Sequence, residues 1–201
     1  MDLWAGGSIG ENIRFVFVRI RHATQQSGRP EGSIRLVAAT KSVGLDQIRE
    51  GVTAGLTILG ENHLTRGASQ NRRAAEATDP VAFYRALAAA KGSPVVGGFD
   101  LIHSVDCLEM AEGIDRRAQE AGLPKAVLLE VNLEGKATKA GFLSDELDGA
   151  MPSVGALPHV TAKRLMAIPR HTSDPEQASP SFVVCVSWRC ACHANLSVPY
   201  L

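Results

Sequence analysis

The stretch DLIHSVDCLEMAEGIDRRAQEAGLPKAVLLEVNL, residues 100–133, decides the fold class. It opens with a short apolar run, DLIHSV, and closes with another, KAVLLEVNL; both read as strands. Between them Leu108, Ala111, Ile114 and Ala118 recur at helical spacing and form one inner face, with Asp106 as the expected N-cap. The closing strand has a continuous apolar run, AVLL, rather than an alternating pattern, as in a strand covered on both faces. Strand, helix and buried strand in succession predict a parallel sheet with helices packed on it.

The same alternation runs outward in both directions. Ile9, Ile13, Val16, Phe17 and Ile20 predict a helix from residue 9 to about 27, stopped by SGRPEG. IRLVAAT (34–40) reads as a strand, GLDQIREGVTAG (44–55) as a helix ending at Gly55, and LTILGEN (56–62) as a second buried strand. HLTRGASQNRRAAEATD (63–79) is polar and helix-compatible, and VAFYRALAAAKG (81–92) reads as a stronger helix. SPVVGGF (93–99) is a loop or a damaged strand, and EGKATKAGF (134–142) is a loop. SDELDGAMPSV (144–154) starts a helix with Ser144 as its cap, and AKRLMAIP (162–169) is a last strand closed by Pro169. From His171 onward the pattern fails. The reading is an α/β fold with a parallel sheet; periodicity does not separate an open sheet from a closed barrel.

Bulk properties narrow the class. The 201 residues suffice for one domain with a sizeable core. Lys plus Arg and Asp plus Glu both number 21, so there is no basic excess to suggest a nucleic-acid or membrane partner. No apolar run approaches a membrane span of about 18 residues. The N-terminus lacks a basic segment followed by an apolar one, so the expected location is the cytoplasm. Cys107 stands alone, whereas Cys185, Cys190 and Cys192 crowd the tail beside His193. Their spacing lacks the two separated ligand pairs of a structural zinc site, so no metal is expected.

In parallel α/β folds functional groups collect at the C-terminal ends of strands. Lys41, Asn62, Ser104 and Asn132 stand at such ends and can face one mouth. A lysine walled by apolar strands and amides loses its proton more easily than a free one, and a neutral amine forms a Schiff base with an aldehyde. Each residue also has a plainer reading. Lys41 can be a solvated strand end, Asn62 a helix cap, His103 a hydrogen-bonded core residue, and Lys136 and Lys139 members of a solvated loop.

Five blocks, RLVAATKSV, GENHL, LIHSVDCLEMAEGIDRRAQEAG, VLLEVNLEGKATKAGF and RLMAIP, occur in an order that resembles the pyridoxal-phosphate homeostasis proteins, relatives of the alanine racemase N-terminal domain. The resemblance spans about residues 9 to 182. It implies a fold-type III barrel of the TIM type that binds pyridoxal 5'-phosphate (PLP), with Lys41 as the lysine of the internal aldimine. It implies that Asn62, of the Gly-Glu-Asn motif, and Lys139 contact the cofactor. Lys139 and Gly141 match the family's Ser-Lys-Ser-Gly-Phe-like loop, with Ala140 in place of the second Ser. The implied role is carrying and buffering PLP in the cell without turnover, with PLP-dependent apo-enzymes as partners and neither nucleic acid nor membrane. Racemisation needs proton exchange on both faces of the substrate carbanion. The racemase draws its second base from a C-terminal domain for which this chain has no room.

The chain departs from the family in two places. KGSPVVGG replaces a segment that carries a strand and a His-Leu-Gln…Asn-Lys motif. After about Phe182, VVCVSWRCACHANLSVPYL matches none of the family's phosphate-binding segment. The expected organisation is therefore an incomplete barrel domain over residues 1–182, with five of eight strands, and a divergent tail over 183–201. Two alternatives stand beside the PLP-carrier reading. One is a Schiff-base lysine enzyme of aldolase type, using Glu61 or Glu130 as acid or base. The other is a truncated product that binds nothing.

Overall fold

The computed structural model describes residues 7–41, 43–61, 81–83, 96, 99–136, 138–170, 172, 174–179 and 182–183. The chain divides into two compact units, Met1–Ala82 and Phe83–Tyr200, with Leu201 grouped with the first.

The first unit begins with α1, Ile9–Gln26. Ser8 and Glu11 close a capping box: Ser8 Oγ accepts the Glu11 amide at 3.2 Å, and Glu11 Oε2 accepts the Ser8 amide at 2.8 Å. Strand β1 is only Ala38–Ala39, shorter than the apolar run predicted, and pairs in parallel with β2, Leu59–Glu61. Helix α2, Leu45–Thr53, joins them, and Gly55 follows its end as expected. Ile48 and Leu59 form the buried centre, with Ala38, Val43 and Val52 packed around them.

The stretch Val81–Phe83 is strand β3, not the start of a helix. The Ala-rich residues after it suggested a helix, but Val and Phe suit extended backbone, and sheet pairing outweighs a weak helix preference. The remainder of that predicted helix, and the polar segment before it, lie outside the described residues.

The second unit carries the βαβ pattern of residues 100–133. Strands β4 (Leu101–Val105), β5 (Lys125–Glu130) and β6 (Val160–Met166) pair in parallel. Helix α3, Leu108–Ala121, packs on all three strands, and α4, Ser144–Gly155, packs on α3 and β6. Ile102, Val105, Val127 and Leu129 on the strands and Ala111, Ile114, Ala118, Leu147 and Val154 on the helices are all nearly inaccessible to water. Each such large aliphatic side chain contributes about 1.5–3 kcal/mol by leaving water.

Both predicted caps are off by one. Cys107 rather than Asp106 is the N-cap of α3, and Leu143 rather than Ser144 that of α4. Gly122 ends α3 in the left-handed conformation, φ 63°, and the Leu123 amide turns back to Ala118 O at 3.0 Å. Lys125 starts β5 buried, its Nζ donating to Phe99 O at 2.8 Å, and burial pushes its amine below the usual lysine range. A 3₁₀ turn, Pro175–Ala178, follows β6. Among the described residues no helix is long and apolar enough to cross a membrane.

Candidate functional site

Lys41 stands two residues past the end of β1 and is exposed. It is not walled in by apolar strands, as the sequence suggested, because β1 ends two residues earlier and the chain turns at once. The Val43 amide donates to Thr40 O at 3.1 Å and closes that turn. Thr40 anchors it: its amide donates to Gly60 O at 2.9 Å and its hydroxyl to the same oxygen at 3.2 Å. A buried threonine thus ties the lysine-bearing turn to the neighbouring strand β2. Asn62, one residue past β2, lies outside the described residues.

The C-terminal end of β5, in the second unit, is built more elaborately. Beyond Val131, whose amide still donates to Met166 O at 2.8 Å, the chain leaves the sheet and returns beside its own strand end. The Phe142 amide donates to Glu130 O at 2.8 Å, and the Asn132 amide donates to Phe142 O at 3.0 Å. Gly141 makes this return possible. Its φ is 114°, and a Cβ there would lie 2.7 Å from the Asn132 nitrogen.

Asn132 is buried and staples the loop from inside. Its Nδ2 donates to Lys136 O at 2.8 Å and to Lys139 O at 3.1 Å. The loop's two lysines converge on Glu134, which pairs with Lys136 and Lys139. These bonds, Lys136 first, hold the Glu134 carboxyl down at about 2. Lys139 is therefore half-exposed and engaged, not simply solvated. Glu134 was missed in the sequence, although the spacing Glu-x-Lys-x-x-Lys at 134–139 carries the signal.

Three further polar groups sit at these strand ends. Glu130 is buried, and burial first, then the Asp106 carboxylate, pushes its carboxyl above the usual range. His103 is half-buried on β4, and burial lowers its imidazole. It is not the hydrogen-bonded core residue expected, since Nε2 is buried without a partner among the described residues, as is Asn132 Oδ1. Ser104 is fully buried at the irregularity in β4, not exposed at a mouth. The cysteine-rich tail lies outside the described residues. Within the second unit the structure thus brings Asn132 and Lys139 together; Lys41 belongs to the first.

The family model described as alanine racemase, N-terminal domain, matches residues 19–184. The chain is 34% identical over 168 residues to the pyridoxal phosphate homeostasis protein of Pseudomonas aeruginosa, covering 83% of this chain and 73% of that protein. The chain belongs to the pyridoxal phosphate homeostasis proteins of the alanine racemase N-terminal domain family. Its α/β fold is the incomplete barrel of that family, as expected. PipY of Synechococcus elongatus, solved with PLP bound, superposes with a TM-score of 0.74 at 26% identity, over 89% of this chain and 83% of that one. The crystal structure of an unknown protein from Bifidobacterium adolescentis superposes with a TM-score of 0.84 at 30% identity, over 96% of this chain and 81% of that one.

Proposed function

We propose that this chain binds PLP and takes part in its homeostasis in the cytoplasm, holding the cofactor covalently through Lys41 without turning over a substrate. The observation that carries this is Lys41 itself: in a member of this family, a primary amine stands on an anchored turn at the C-terminal end of the first strand, open to an aldehyde from solvent. When bound, PLP supplies an aldehyde that condenses with an amine, releasing water. Asn62 and Lys139 are proposed as further contacts.

The residues present fit such a ligand in kind. Thr40 fixes the direction from which the amine leaves the strand. In the second unit, buried Asn132 Oδ1 and His103 Nε2 have no hydrogen-bond partner among the described residues, capacity of the sort a polar ligand fills. Glu134 holds the Lys139 amine and orients it. Relatives carry the homeostasis name, and PipY was solved with PLP, which supports the reading for this chain. The apo-forms of PLP-dependent enzymes are the partners this role calls for.

The test is direct. Adding PLP to the full chain should give an absorbance band near the violet edge of the visible. Borohydride should then fix the label on Lys41, read by peptide mass, and Lys41→Ala should abolish both signals. A label fixed elsewhere, or nowhere, would sink the proposal. Turnover of an aldol substrate without PLP would favour the aldolase-type alternative.

A further inference from the structure

The outward half of α1 is used neither by the core nor by the lysine-bearing turn. Arg14, Val18, Arg21 and Gln25 fall on one stripe at helical spacing, and Phe15 and Arg19 lie beside it, with the Arg19 guanidinium 5.9 Å from the Phe15 ring centre. Phe15 is 41% exposed and Val18 59%.

Across from this stripe the chain leaves α1 and returns through Arg29, Glu31 and Ile34, the last 40% exposed. Helix and return segment enclose a groove of about 590 Å³ within the first unit, lined among others by Arg14, Val18, Arg21, Arg29, Glu31 and Ile34. Val18 and Ile34 give it apolar surface. Its lining carries three guanidiniums against one carboxylate. Glu31 pairs with Arg21 at 3.5 Å, which leaves Arg14 and Arg29 in excess. The acid on α1, Glu11, lies outside the groove lining; it accepts the Ser8 amide in the capping box and is also drawn to Arg14.

Exposed arginines around apolar side chains are the composition of a protein-binding patch rather than of an inert surface. Guanidinium is weakly hydrated and takes a carboxylate in two-point geometry. The stripe from Arg14 to Gln25 runs about 16 Å along the helix at 1.5 Å per residue, longer than a small anion needs. A flat membrane surface would leave the hollow between Val18 and Ile34 unfilled. We propose that this groove docks an acidic segment of a partner protein, its carboxylates on Arg14 and Arg29 and one apolar side chain seated between Val18 and Ile34. The proposal is independent of cofactor binding.

The probe is a fluorescein-labelled twelve-residue peptide with a central Leu-Phe pair flanked by Glu and Asp, titrated with the full chain and followed by anisotropy. Binding should be saturable and weaken at least tenfold in 0.5 M salt, since exposed charges are screened. It should fall at least tenfold in Arg14→Glu/Arg29→Glu and several-fold in Ile34→Ser, a return-segment change that leaves α1 untouched. Circular dichroism should show both variants folded like the parent. No binding, equal binding by variants and parent, or equal binding of a peptide with Lys in place of the acids would overturn the proposal. So would displacement by 10 mM inorganic phosphate alone, or a preference for phosphatidylserine vesicles over the peptide.

Discussion

Gly141 and Glu134 show how single residues set the loop after β5. A methyl group at 141 would need a left-handed backbone and would press into the Asn132 nitrogen. Gly141→Ala should therefore cost about 2 kcal/mol or more, by strain and clash together, read as a lower urea midpoint. Glu134 makes the loop pH-sensitive. Its folded-state value, about 2, lies below the ordinary 4.5. The stabilisation it gives is thus complete above about 4.5 and is lost as pH falls through about 2. Chemical shifts of residues 134–139 should titrate in that window, and Glu134→Gln should remove the titration. At this scale the sequence was half legible. Lys41 stood out because a charge closing an apolar run is conspicuous, and Lys139 because a family motif marks it. The partner that holds Lys139 was not seen, because ion pairing in a loop depends on how the loop folds back. Burial at strand ends was equally hidden: Lys41 is open and Ser104 closed, and periodicity does not distinguish them.

At the level of elements, helices and strands with long apolar patterns were read well. Helices α1, α2 and α3 and the β4–α3–β5 unit lie where their spacing put them. The errors fall where local chemistry is ambiguous. Val81–Phe83 is a strand although the alanines after it favour a helix, and β1 is two residues within an apolar run of seven. Caps slipped by one residue because Asp106 and Ser144 are good capping types that the chain does not use as caps. The α3 cap leaves a gain available. Cys107 has extended backbone, φ −156° and ψ 163°, but its side chain makes no capping bond, and burial pushes its thiol up to about 11. Cys107→Ser offers a hydroxyl oxygen to the first-turn amides and should stabilise the protein by about 1 kcal/mol, visible as a higher thermal midpoint.

For the whole molecule, membership of the family and the incomplete barrel were legible because five motif blocks occur in order. The parallel sheet followed from apolar strands alternating with helices, a property of the entire chain. A ligand that binds only the folded state adds stability by mass action. At a hundredfold excess over its dissociation constant the gain is about 2.7 kcal/mol. PLP should accordingly raise the melting temperature in a concentration-dependent way, and Lys41→Ala should melt at the same temperature with and without it. A shift that persists in Lys41→Ala would assign the stabilisation to another site.

The double tie of Thr40 to Gly60 O has one more consequence, in the time domain. The Thr40 amide sits in a buried residue and is bonded across to the neighbouring strand. Its proton exchanges with deuterated solvent only when β1 and β2 part. The exchange rate of that one amide is therefore a built-in clock for opening of the strand pair that carries Lys41, readable without any ligand and without any substitution.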